Sequence, residues 1–157
     1  MKFTTITVAA IVAAGAAWAE PIAPTDVVFD EYGTVAVSVS GMAGDAANGA
    51  LIVGDKKKGN CVACHQVTAL AHVPFQGEVG PMLDGAGDRW EEAQLRGILS
   101  NSKKTFEGTV MPAYYKVDGF IRPGNAYTGK AAEGPLDPLL SAQDIEDVVA
   151  FLLTLKD

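Results

Sequence analysis

Cysteine and histidine are scarce, with two of each in 157 residues. One pair of cysteines cannot staple a small fold as a disulfide framework does. Positive charge is also short: 12 basic residues face 19 acidic ones, for a formal net charge of −7. An acidic chain is a poor candidate for holding nucleic acid, because phosphate attraction needs a basic face. No internal repeat and no low-complexity tract occurs. The length suits one domain with one core.

The longest apolar run lies at the start. Lys2, the small-residue apolar stretch from Ile6 to Ala17, and Ala17-Trp18-Ala19 ahead of Glu20 make the pattern of a secretory signal, residues 1–19. A spanning helix wants about 20 apolar residues, so the stretch is short for one. It carries no cysteine for lipidation. The expectation is an exported, periplasmic protein with no membrane span in its mature form. An uncleaved anchor is the competing reading.

Both cysteines fall in one run, Cys61-Val62-Ala63-Cys64-His65. C-x-x-C-H is the attachment pattern of a c-type haem. Two thiols one short turn apart can reach the two vinyl groups of one porphyrin, and His65 then falls under the iron. A C-x-x-C redox pair is the plainer reading, but the motif lacks the internal Pro or Gly and the preceding strand of that class. With His65 used, His72 is the last histidine, too few for a zinc site.

The second iron ligand has four candidates: Met42, Met82, Met111 and His72. Met111 is preferred. Pro112 biases it towards an extended backbone, which suits a side chain pushed inward from a loop. A thioether opposite imidazole is a common electron-transfer pairing. Core filling is the competing role for Met111. His72 is read as a loop histidine, Met82 as packing on the His65 side, and Met42 as remote from the iron. Ligation by His65 and Met111 fills both axial sites, so the iron moves electrons and binds no substrate.

Three helices are expected. Asp45 caps the first, with Ala47, Ala50, Leu51 and Gly54 as its apolar stripe. The second runs from about Glu91 to Ser100, with Leu95, Ile98 and Leu99 inward. The third runs from Ser141 to Leu155, opened by a capping box at Ser141-Ala142-Gln143-Asp144 and buried along Ile145, Val148, Val149 and Leu152. Between them the chain is rich in Gly and Pro, and such loops need an apolar object to wrap. Glu20 to Gly41 reads as an extension, with Val35, Val37 and Val39 suggesting a short strand or extended arm.

Taken together, Gly44-Asp45-Ala46-Ala47-Asn48-Gly49, the C-x-x-C-H run, Gly80-Pro81-Met82-Leu83, Met111-Pro112 and Asp147-Val148-Val149-Ala150-Phe151-Leu152 resemble the class I cytochromes c. That resemblance implies an all-α fold around one covalent haem, with residues 20–43 as an extension and 44–157 as the cytochrome domain. It implies that Gly49 and Phe151 meet where the first and last helices cross. It also implies that the Pro81 carbonyl holds the outer nitrogen of His65. Cys61, Cys64, His65 and Met111 carry over as the haem-linking and axial residues.

A narrower likeness rests on Gly59 to His65, Gly77 to Pro81, Met111-Pro112-Ala113-Tyr114-Tyr115-Lys116 and Leu140 to Val149. These segments look like SoxX-type cytochromes, the small monohaem subunits of SoxAX sulfur-oxidation complexes. The likeness implies a heterodimer with a SoxA-like haem subunit, an L-cysteine S-thiosulfotransferase. It would couple thiosulfate oxidatively to a cysteine of a SoxYZ-like carrier and pass electrons to a small soluble cytochrome c. With no spare cysteine, this chain would supply no catalytic residue of its own. A stand-alone monohaem shuttle and a haemless thiol–disulfide oxidoreductase are the competing readings. Arg89-Trp90 reads either as a propionate site or as a surface pair. Lys56 to Lys58 read as a solvated helix end or as steering charge. Tyr114 and Tyr115 are placed near the haem edge or at an interface.

Overall fold

A computed structural model of the chain describes residues 20–124 and 127–157. The signal expected at residues 1–19 lies outside them. Among the described residues there are four α-helices: α1 (Ala46–Gly54), α2 (Ala86–Arg89), α3 (Glu92–Asn101) and α4 (Ala142–Thr154). There is no β-strand among them, only an isolated antiparallel bridge between Gly124 and Ala131. No helix among them is long and apolar enough to cross a membrane. α4 is the spine of the core, and α1, α2 and α3 all pack against it.

The helix starts follow local chemistry. The first turn of a helix leaves N–H groups without partners, and a short polar side chain just ahead of it accepts from them. Asp45 takes the N–H groups of Ala47 (2.8 Å) and Asn48 (3.3 Å). Ser141 Oγ accepts from the Asp144 N–H, and the Asp144 carboxylate accepts from the Ser141 N–H, each at 3.1 Å. That is the reciprocal capping box expected from the sequence. Along α4, Ile145, Val148, Val149 and Leu152 are buried as expected, and along α3 so are Leu95, Ile98 and Leu99.

α1 and α4 cross in backbone contact. A Cβ added to Gly49 would lie 2.0 Å from the Asp147 carbonyl oxygen and 2.8 Å from Phe151 Cβ. Gly44 is as tight, with 2.1 Å to the Glu146 carbonyl oxygen. The Asp147 side chain, buried beside this crossing, accepts from the Asp45 N–H (2.8 Å), Asn48 Nδ2 (2.6 Å) and Gln143 Nε2 (2.8 Å). The buried carboxylate is thereby satisfied by the start of the opposing helix.

The stripe expected on α1 is corrected. Gly49, Ile52 and Val53 face the core, whereas Leu51 is 71% exposed and Ala47 is exposed too. The sequence of α1 is apolar almost all round, so spacing alone does not choose a face. The crossing at Gly49 chooses it.

The stretch from Glu20 to Gly41 forms no strand; it is an arm bound by scattered hydrogen bonds. Val35 and Val39 are buried, but Val37 is exposed. The Val35 N–H donates to the Ala93 carbonyl (3.0 Å) and the Ile22 N–H to the Val39 carbonyl (2.8 Å). A buried ion pair holds the arm to both long helices. Arg96 Nε lies 2.9 and 3.0 Å from the two Glu146 carboxylate oxygens. Arg96 Nη1 also donates to the Val35 carbonyl (2.9 Å), Arg96 Nη2 pairs with Glu92, and Glu146 accepts from the Val39 N–H (2.7 Å).

Candidate haem site

The motif lies in a tight turn after α1. Asn60 enters it with φ 48°, a left-handed conformation that Asn tolerates better than most residues, and Cys61–Ala63 form one 3-10 turn. The N–H groups of Cys64 (3.0 Å) and His65 (2.9 Å) both donate to the Cys61 carbonyl. Neither cysteine is in a disulfide; Cys61 is buried and Cys64 half-buried. As a free thiol Cys61 titrates high: burial pushes it up to about 11, partly offset by hydrogen bonding to the Tyr114 hydroxyl. Tyr114 is itself raised, by burial first and then by Cys61.

Residues 77–81 lie directly on that turn. The Gly77 N–H donates to the Val62 carbonyl and the Gly80 N–H to the Cys64 carbonyl, each at 2.8 Å. A Cβ on Gly77 would stand 2.1 Å from the Ala63 carbonyl oxygen, and one on Gly80 2.2 Å from His65 Cε1. Glycine at both positions is what lets the Pro81 carbonyl reach His65 Nδ1, at 2.6 Å. A carbonyl can only accept, so Nδ1 carries the proton and Nε2 keeps its lone pair for a metal. The role expected of Pro81 is what the geometry shows.

Met111 stands on a separately held loop. The Tyr114 and Tyr115 N–H groups donate to the Leu99 (3.0 Å) and Ser100 (3.1 Å) carbonyls, covering acceptors that the end of α3 leaves without partners. The Tyr114 hydroxyl donates to the Gly59 carbonyl (3.1 Å), which ties this loop to the segment entering the motif. The Tyr115 hydroxyl donates to the Ile22 carbonyl of the arm (2.6 Å). Both tyrosines are therefore internal ties in this chain. Met111 itself is half-buried.

The remaining sequence candidates stand apart. His72 is exposed in a turn. Met42 and Met82 are exposed, so Met82 fills no core. Arg89 donates to the Asp84 (2.6 Å) and Met82 (2.9 Å) carbonyls and so braces the loop that follows Pro81. Trp90 packs edge-on against Phe106, with ring centroids 5.9 Å apart. Lys58 pairs with Asp144 at 2.8 Å, which joins the end of α1's loop to the start of α4.

Two free thiols in one turn, an imidazole with a fixed tautomer and a thioether on a second loop are the donor set that one covalent haem takes. No group of three or more His, Cys, Asp or Glu suited to a bare metal ion occurs among the described residues. Residues 46–156 match the cytochrome c family, and the chain belongs to it, carrying one covalently attached haem c. Its fold is the all-α fold of the class I cytochromes c. No curated protein sequence matches the chain. A solved structure does: the crystal structure of SoxXA from P. pantotrophus contains a chain with 58% identity and a TM-score of 0.83, over 87% of this chain and 99% of that one. Within the family this chain is of the SoxX type.

Proposed function

We propose that the chain is the electron-transfer subunit of a periplasmic SoxAX-like L-cysteine S-thiosulfotransferase. Cys61 and Cys64 would hold the haem through thioethers, and His65 Nε2 and Met111 Sδ would hold its iron. When bound, the haem supplies a reversible one-electron couple between ferric and ferrous iron. The observation that carries the site is the 2.6 Å contact between His65 Nδ1 and the Pro81 carbonyl. It fixes the imidazole's tautomer and leaves the lone pair on Nε2, in the same turn as two free thiols. The likeness to a SoxXA chain supports the rest.

Joining a thiosulfate sulfur to a cysteine sulfur breaks the thiol S–H bond, forms an S–S bond, and releases two electrons and the thiol's one proton. Apart from Cys61 and Cys64 the chain has no cysteine, so that bond forms on a SoxA-like haem subunit, with a SoxYZ-like carrier providing the thiol. With His65 and Met111 both holding the iron, this chain would leave no open position there for substrate. Electrons arrive from the partner and leave one at a time to a small soluble cytochrome c.

Co-expression with a SoxA-like subunit and haem-maturation machinery tests the reading. A tight 1:1 heterodimer that couples thiosulfate to a carrier cysteine is expected, with activity lost when this chain is omitted. A haem-loaded monomer that ignores such a partner would leave it a stand-alone shuttle.

A further inference from the structure

The Met111 main chain is held at both its polar groups, by residues outside the motif. The Met111 N–H donates to Thr109 Oγ1 (3.2 Å). The Met111 carbonyl accepts from Ser102 Oγ at 2.8 Å, and the Lys103 ammonium donates to the same oxygen. Ser102 is fully buried and begins the 3-10 turn Ser102–Lys104 that ends α3. Its hydroxyl also comes within 3.3 Å of the Pro112 carbonyl. Its own carbonyl accepts from the N–H groups of Thr105 (3.2 Å) and Phe106 (2.9 Å), so it is rigidly placed.

We infer that Ser102, seconded by Lys103, is a positioning residue for the axial thioether. A methionine side chain is flexible and its sulfur a weak ligand, so what holds sulfur on iron is largely where the main chain presents it. The Met111–Tyr115 loop has little regular structure, and its other ties, at Tyr114 and Tyr115, begin three residues beyond Met111. The Ser102 hydroxyl acts at Met111 itself. Without it the Met111 carbonyl loses a buried donor, the loop swings more freely, and the sixth position opens to outside ligands. The inference rests on Met111 being the ligand.

The test uses the haem-loaded full chain, comparing Ser102→Ala, Lys103→Met, Ser100→Ala and Met111→Ala. Ser100 is equally buried, and its hydroxyl has no hydrogen-bond partner. It therefore controls for the loss of a hydroxyl from the same helix end. The readouts are the thioether-to-iron charge-transfer band of the ferric protein and its affinity for added imidazole. Ser102→Ala should bind imidazole about tenfold more tightly than the parent, the ratio that one lost buried hydrogen bond corresponds to. Lys103→Met should shift the same way but less, and Ser100→Ala not at all. Ser102→Thr, which keeps the hydroxyl, should restore the parent affinity.

If Ser102→Ala and Lys103→Met both bind imidazole like the parent while Met111→Ala abolishes the band, the inference falls and the ligand assignment stands. If the parent lacks the band, the ligand assignment is what falls. Should Ser102→Ala not mature, Lys103→Met on the exposed side decides, and an unchanged imidazole affinity there overturns the inference.

Discussion

The Arg96 guanidinium and the Glu146 carboxylate meet side-on inside the protein, at 2.9 and 3.0 Å, with 3% and 4% of their side-chain surface left to solvent. They join α3 to α4 and, through the Val35 carbonyl and the Val39 N–H, bring in the arm. Removing Arg96 strands the Glu146 carboxylate in a medium that cannot solvate it, and removing Glu146 leaves the buried guanidinium only the exposed Glu92 as a counter-charge. Arg96→Met or Glu146→Leu alone should therefore destabilise the haem-loaded protein by about 3–5 kcal/mol. Chemical denaturation followed at the haem band measures this. The double variant should recover part of the loss, because no orphan charge remains. A double variant worse than the sum of the singles would contradict that account.

Gly49 allows no side chain. Since an added Cβ would sit 2.0 Å from the Asp147 carbonyl oxygen, Gly49→Ala must push α1 off α4. Helix propensity alone would favour Ala by about 1 kcal/mol. Overpacking at a backbone contact costs about 1–3 kcal/mol, so the net change should be destabilising. A thermal midpoint above the parent's would show that propensity wins and that the crossing is soft.

Met111→Ala should keep the covalent haem, since both thioethers remain. The ferric protein should lose its low-spin spectrum, and the reduction potential should fall with the loss of thioether ligation. Potentiometry and the optical spectrum check this. Unchanged values would return the search to Met42, Met82 and His72.

Asp144 should give the protein an acid-sensitive step. Burial acts to raise its pKa, but the Lys58 ammonium and the Ser141 bonds outweigh it and hold the group below the usual carboxylate range. A carboxyl depressed in the folded state stabilises above its unfolded pKa, and that contribution is lost as pH falls through the folded value. Asp144→Asn should therefore weaken the protein at neutral pH and flatten the acidic limb of its stability profile. Equal acidic limbs in parent and variant would contradict the assignment.

The motif was legible because its chemistry is local. Five consecutive residues specify two thiols and an imidazole, and their spacing survives whatever the distant chain does. α4 was legible for a similar reason: its capping box and its stripe agree, so local and tertiary signals point one way. α1 misled because its sequence is apolar on nearly every side, and its inward face is set by a glycine contact with a helix about a hundred residues later. Of the two readings of the valine alternation, the arm holds and the strand does not, because alternating valines imply a strand only where another strand is there to pair. Here the partners are the Ala93 carbonyl and the Glu146 carboxylate, which no spacing rule reveals. Nothing local marks Arg96 and Glu146 as a pair, since they stand 50 positions apart. The Ser102 bond to Met111 was equally out of reach, since a lone serine at a helix end has many possible acceptors.

The Tyr114 hydroxyl on Gly59 has a consequence for biogenesis. It ties the Met111–Tyr115 loop to Gly59, two residues ahead of Cys61, and Cys61 is buried in this closed arrangement. A porphyrin delivered after that closure would find one of its two anchoring sulfurs already covered. Cys61 is thus within easier reach of a porphyrin vinyl group in a chain whose Tyr114 tie is still open than in the closed one.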